Sequence, residues 1–268
     1  MPDLHAEFAK PEAAADPLME FLEEVDRMPS IRAVKTTMLQ AAGLRPGMRL
    51  LDVGCGSGIE VIRLAGDHPE VSFTGLDPNP GLLAIARKRA AALANVEWVE
   101  ARLEDAELPE GGFDVIRTER VLMFAAGPAL GRQLDKLISL LRPGGRLVLF
   151  ELDYGAMILP PGDHDDDVAR EAHALMERAM PEPWAGRKIP VELAARGMAD
   201  VTAEPYIFTV SEPVWRRIVH DTLRQALDGE PEPRPRLRAW LDDHAATAAE
   251  HPLRTAITGV LITARRPG

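Results

Sequence analysis

Three glycines sit close together in Leu51-Asp52-Val53-Gly54-Cys55-Gly56-Ser57-Gly58. Glycine has no Cβ and tolerates positive φ, so such a run lets a ligand lie against bare main chain. That suits a nucleotide-type ligand. A pyrophosphate-binding G-x-G-x-x-G would need glycine at position 59, where Ile59 stands, which disfavours a nicotinamide dinucleotide. Asp77 follows in Gly75-Leu76-Asp77-Pro78, 23 positions after Gly54. A carboxylate at that spacing can accept hydrogen bonds from both hydroxyls of a ribose, or can cap a helix starting near Pro80.

Other residues could act on an acceptor. Asp153 and Tyr154 end an apolar run and are expected at its rim, where they could bind or deprotonate a substrate; a loop hydrogen bond and a pocket-wall contact are their plainer roles. His220, on one helical pattern with Trp215, could line the same pocket or simply pack. Glu119-Arg120 offers a charged anchor or a salt bridge. The run Asp163-His164-Asp165-Asp166-Asp167 has oxygen and imidazole donors, but its place before Val168 suits a helix start, where acidic groups oppose the dipole. No metal is expected.

Leu18, Phe21, Leu22 and Val25, then Ile31, Val34, Met38 and Ala42, repeat at helical spacing. Two helices therefore precede a strand at Met48–Val53. Strands are expected at Val71–Leu76, Val96–Val99, Phe113–Ile116 and Arg146–Leu152, with helices at Leu82–Leu93 and around Leu130–Leu141. This alternation implies a mainly parallel sheet covered on both faces. Later come a helix at Val168–Met180, a helical turn at Val191–Arg196, a strand at Thr202–Val210, a helical stretch at Val214–Leu227, a proline-rich loop at Glu230–Pro235 and a last strand at Thr258–Ala264. The expected organisation is a helical lid over residues 1–45 and a doubly wound α/β domain over 46–268 with a seven-stranded sheet, carrying helical insertions at about 155–186 and 212–256. Lids so placed exclude water and shape an acceptor site. Leu18, Phe21, Met28, Met157, Ile158, Leu159, Met176 and Met180 would suit an apolar acceptor, or fill the core.

The 268 residues carry a formal charge of −11, a poor match for a polyphosphate backbone, so nucleic acid is not expected as a partner. A single cysteine, Cys55, excludes an internal disulfide framework and fits a reducing compartment. No apolar run approaches the ~20 residues of a membrane span, and the amino terminus lacks a signal-peptide layout, so a cytoplasmic protein with no membrane partner is expected.

Taken jointly, the glycine cluster, Gly75-Leu76-Asp77-Pro78, the stretch from Glu104-Asp105 to Phe113-Asp114-Val115-Ile116, and Leu141-Arg142-Pro143-Gly144-Gly145-Arg146-Leu147 resemble a class I S-adenosylmethionine-dependent methyltransferase. The resemblance covers about residues 30–152. It implies that Gly54, Gly56 and Gly58 admit the methionine moiety and ribose of S-adenosyl-L-methionine, that Asp52 orients its ammonium, and that Asp77 and Pro78 border the ribose. The acid that usually reads the adenine amine is replaced by Arg102, leaving Leu103, Glu104 or Asp105 for that task. Thr118 and Glu119 would neighbour the amino-acid end, and Lys35 could pair with its carboxylate. The implied activity is methyl transfer to a small organic acceptor, with a place in bacterial secondary metabolism. A non-methylating enzyme of the same fold and a non-catalytic cofactor-binding protein are the alternatives.

Overall fold

The computed structural model describes residues 7–8, 10–159, 166–247 and 255–268; residues 163–165 of the acidic run lie outside them. Helices α1 (Ala15–Arg27) and α2 (Pro29–Ala42) form where the two apolar stripes recur, burying Leu18, Phe21 and Val25 on one and Ile31, Val34, Met38 and Ala42 on the other. Pro29 opens α2, where a missing N–H costs nothing, and Gly43 closes it at φ +56°.

The sheet then builds in alternation: β1 (Arg49–Val53), α3 (Ile59–Asp67), β2 (Ser72–Asp77), α4 (Pro80–Arg89), β3 (Val96–Glu100), β4 (Phe113–Glu119), a 3-10 turn at Leu122–Phe124, α5 (Pro128–Leu140) and β5 (Leu141–Ile158). After β5 come α6 (Asp166–Ala179), α7 (Ala185–Ala195) and β6 (Ala199–Thr209). Next are α8 (Glu212–Trp215), a π-helical turn at Arg216–His220, α9 (Asp221–Gly229), α10 (Pro235–Thr247) and β7 (Ala256–Arg265).

The seven strands lie in the order β3-β2-β1-β4-β5-β7-β6. Strands β1 to β5 pair in parallel, while β7 runs antiparallel to both β5 and β6. Strand order reverses between β1 and β4, and a doubly wound sheet opens its ligand crevice beyond the carboxyl ends of the strands at such a point.

Some elements differ from the sequence expectation. Strand β5 extends well past Leu152, its pairing with β7 shifting register between Asp153 and Ile158. The proline-rich loop runs into α10, with Pro235 at its start and Leu237, Trp240, Leu241 and His244 buried at helical spacing. Helix α4 ends at Arg89 rather than Leu93.

Candidate functional site

The turn after β1 is built for close approach. Gly54 adopts φ +71°, and a Cβ there would fall 2.4 Å from Val121 Cγ2, so only glycine fits. Its N–H donates to Leu76 O at 2.7 Å, binding the turn to β2. Asp77, at the end of β2, accepts from Gly56 N at 2.8 Å through Oδ2 and from Asn79 N at 2.9 Å through Oδ1. Both oxygens are thereby fixed in direction, and each keeps a lone pair for a further donor. Burial raises the Asp77 pKa above the ordinary carboxylate value, opposed by the bonds from Asn79 and Gly56. The cap of the helix starting at Pro80 comes from Asn79 and not from Asp77: Asn79 Oδ1 accepts from Leu82 N at 2.9 Å.

Gly58 has a different task from the one expected. At φ +73° it starts α3, and a Cβ there would meet the Trp98 ring at 2.5 Å. It borders neither of the hollows described next, and instead lets the first turn of α3 pack on β3.

A cleft of about 240 Å³ opens beyond β1, β2 and β4. It is bordered by Gly54, Gly56, Asp77, Pro78, Arg102, Leu103 and Glu104, and by apolar side chains: Phe21 of α1, Met28 between α1 and α2, Met123 of the turn after β4, Phe208 of β6, and Val214 and Ile218 of the helical stretch that follows it. Leu18, Phe21 and Met28, three of the residues expected to line an acceptor site, border the cleft. Met157, Ile158, Leu159, Met176 and Met180 do not: Met157, Met176 and Met180 are buried in the core, and Ile158 is 53% exposed. Their part of the wall is supplied by Phe208, Val210, Val214 and Ile218, from the end of β6 onward.

A smaller recess shares Leu22, Gly54, Gly56, Glu119 and Arg120 with the cleft and adds Lys35, Asp52, Ser57, Glu60 and Arg117. It is lined by a buried charge network. Arg117 lies 3.0 Å from Glu119, 3.5 Å from Asp52 and 3.9 Å from Glu60. Burial pushes Asp52 up to about 6, with Arg117 opposing and Glu60 and Glu119 reinforcing. Burial would raise Glu119 too, but Lys35, Arg120 and Arg117 hold it down to about 2. Lys35 does not wait for a ligand carboxylate: its Nζ sits 2.6 Å from Asp26, 3.7 Å from Glu60 and 3.8 Å from Glu119.

Arg120 stands out in the recess. It occupies the left-handed region at φ +59°, unusual for a side chain with a Cβ. Its N–H donates to Phe150 O at 2.7 Å and its Nη2 to Glu119 at 2.8 Å. Its Nε is buried without a partner among the described residues, as is Ser57 Oγ. Two orphaned donors beside two glycine backbones and carboxylates of low and raised pKa form a set suited to a zwitterionic amino-acid group. An adenosyl sulfonium therefore fits the residues present.

Of the three acid-base candidates, only Tyr154 borders the cleft. Asp153 is 3% exposed and chelates Arg187, Oδ2 to Nε at 2.7 Å and Oδ1 to Nη2 at 2.8 Å, so it anchors α7 instead of reaching an acceptor. His220 does not border the cleft; its Nδ1 lies 2.9 Å from Asp221 Oδ1 and its ring 5.8 Å from that of Trp215. Thr118 is fully buried below the site, its hydroxyl donating to Glu151 at 2.9 Å.

Glu151 was not singled out by its sequence context. It accepts from Thr118 Oγ1, from Val121 N at 3.2 Å and Leu122 N at 3.0 Å through Oε1, and from Met123 N at 3.2 Å through Oε2. One buried carboxylate thus ties down the loop that carries Arg120, Val121 and Met123 into the cleft. Burial pushes it up to about 7 despite those donors. The available signal was a lone acid inside the apolar run Leu147–Leu152.

Among known proteins, a family model described as a methyltransferase domain matches residues 50–145. The chain is 30% identical over 195 residues to an uncharacterized 37.1 kDa protein in transposon TN4556 of Streptomyces fradiae, covering 72% of this chain and 56% of that one. It is also 30% identical to trans-aconitate 2-methyltransferase of Methylobacterium nodulans, covering 59% of this chain and 54% of that protein. The chain spans about half the length of these curated relatives. Among solved structures, the YcgJ protein of Bacillus subtilis superposes with a TM-score of 0.62 at 16% identity over 88% of this chain and 99% of that one, a likeness of fold.

Proposed function

We propose that the chain is a class I S-adenosylmethionine-dependent methyltransferase, a reading supported by the methyltransferase-domain model over residues 50–145 and the methyltransferase relatives, and that it transfers a methyl group to a small, largely apolar organic acceptor. The observation that carries the proposal is the cleft itself, which joins the Gly54–Gly56 turn and the oriented Asp77 carboxylate to an apolar lining that includes Phe21, Met28, Phe208, Val214 and Ile218. The bound cofactor supplies an electrophilic methyl on a sulfonium, displaced in line by a nucleophile.

The protein's part is then to position and to exclude water. Asp77 holds the ribose, Asp52 and Glu119 face the ammonium, and Arg120 Nε with Ser57 Oγ donate to the carboxylate. Pinning one reactant this way leaves the apolar chamber to press the acceptor to near-attack distance, the main source of rate for such a displacement. Tyr154 is the polar group of this chamber that could meet the acceptor; with Asp153 committed to Arg187, no carboxylate base is needed if the acceptor is already nucleophilic. Lid residues Phe21, Leu22 and Met28 close the chamber from water.

The relative from Methylobacterium nodulans is named for a small acid as its acceptor, which favours a small molecule here too. We place the reaction in the cytoplasm and in secondary metabolism. Titration calorimetry with S-adenosylhomocysteine and with NAD tests the cofactor: binding of the first alone is expected. Radiolabelled methyl from the cofactor appearing on an acceptor tests the reaction; tight binding with cyclised or rearranged product and no label transfer would replace it with a non-methylating use of the same cofactor.

A further inference from the structure

Gln133 on α5 carries a side-chain oxygen, Oε1, that is buried and has no hydrogen-bond partner among the described residues. Its amide orientation is set by chemistry: the other end lies 2.6 Å from Glu104 Oε1, and a carboxylate can only accept, so that end is the NH₂. The free atom is an acceptor. Leaving a buried carbonyl unmet costs free energy, so the place is prepared for an N–H or O–H donor. Gln133, Glu104, Arg102 and Leu103 border the same cleft as Asp77.

We propose that Gln133 reads the 6-amino group of the cofactor's adenine, an inference that rests on the cofactor assignment above. The donor groups of the cofactor are few. Its ammonium has Asp52 and Glu119 in the recess, and its ribose hydroxyls have Asp77. The remaining N–H donor is the adenine amine, and among the described residues the orphaned acceptor bordering this cleft is Gln133 Oε1. This settles the difficulty posed by Arg102, a donor in the place where an acid would accept from that amine. Recognition passes from the loop after β3 to the neighbouring helix α5, with Glu104 holding the amide in its productive orientation.

The test is discrimination, read as binding. Calorimetry compares S-adenosylhomocysteine with S-inosylhomocysteine, whose 6-oxo group accepts where adenine donates. Wild-type protein is expected to prefer the adenosyl compound roughly tenfold or more, the factor for one mismatched buried hydrogen bond. Gln133→Met keeps the length and removes the acceptor, and should collapse that ratio toward one with a largely unchanged thermal melt. Glu104→Ala, at an exposed residue, frees the amide to rotate and should lower the ratio partway. A wild-type ratio near one, or an unchanged ratio in both variants, overturns the assignment of Gln133 while leaving the cofactor reading intact. Failure of wild-type protein to bind either compound overturns the cofactor reading and the Gln133 proposal with it.

Discussion

Asp77 and Glu151 are both buried carboxylates that accept several hydrogen bonds, yet they serve different ends, and mutation separates them. Asp77→Ala removes the ribose contact and the bond to Gly56 N; affinity for S-adenosylhomocysteine is expected to fall by ~1–3 kcal/mol in calorimetry, and an unchanged affinity would contradict the site. Glu151 reaches no ligand but fixes three successive backbone N–H groups of the loop carrying Arg120. Its carboxyl titrates near 7 in the folded chain, above its ordinary value of 4.5. Between those limits the native state keeps a proton that the unfolded chain gives up, so this group's contribution to stability is present below about pH 4.5 and is lost as pH rises through 7. Urea unfolding at pH 5 and pH 8 should therefore show greater stability at pH 5 from this group, on the order of 2 kcal/mol. Glu151→Gln should be less stable overall and have a flatter profile; a slope equal to wild type would show that the proton sits elsewhere. Such residues were unequally legible. Gly54, Gly56 and Asp77 stand out in the chain because glycines and an acid recur there at the spacing of a strand–turn–strand unit, and the structure brings all three to one cleft. Asp153 misleads because its partner Arg187 is 34 positions away, and nothing local betrays that its charge is already spent.

The elements that cover the cleft are attached more lightly than those that floor it. Leu22 of α1 borders both cleft and recess, which makes this helix the candidate gate for cofactor exchange. It is latched by Arg89 to Glu23 at 2.7 Å, by Ser211 to Glu24 at 3.1 Å and by Arg217 to Pro17 O at 2.9 Å. The Arg89 and Arg217 contacts are exposed, and such contacts contribute about 0–1 kcal/mol each. Replacing Arg89 and Ser211 together by Ala should leave the thermal midpoint nearly unchanged but accelerate dissociation of S-adenosylhomocysteine several-fold in stopped-flow, because opening is a local event. An unchanged off-rate would mean that α1 does not gate the cofactor. Both lid helices were legible, since each presents a clean apolar stripe. Helix α10 was not: its prolines read as loop, although Pro235 at a first helical position is a start signal and Leu237, Trp240, Leu241 and His244 carry the stripe.

The molecule as a whole closes late. Strands β1 to β4 follow one another with short connections, and their alternation with helices made a seven-stranded, mainly parallel sheet legible from the chain. Strand order was less so, because β7, the last element, inserts between β5 and β6 in antiparallel pairing, and such long-range pairing leaves no local mark in sequence. The insertion depends on one small residue. Gly259 pairs with Leu152 on one side and Tyr206 on the other, and the Phe150 ring fills the space above it: a Cβ at 259 would lie 2.2 Å from Phe150 Cζ. That ring also packs at 6.3 Å from Tyr206 and 6.4 Å from Phe208, so it cannot simply swing away. Gly259→Ala should therefore destabilise the fold by about 1–3 kcal/mol, as over-packing does, with the loss read as a lower urea midpoint. Gly229→Ala, at a position with nothing within 4 Å, should be neutral or slightly stabilising. Pairing Gly259→Ala with Phe150→Leu makes room for the methyl, so the double variant should be less destabilised than the sum of the two singles by at least about 0.5 kcal/mol. Strict additivity would show that the clash is not what holds glycine at this crossing, and that closure of the sheet tolerates a side chain there.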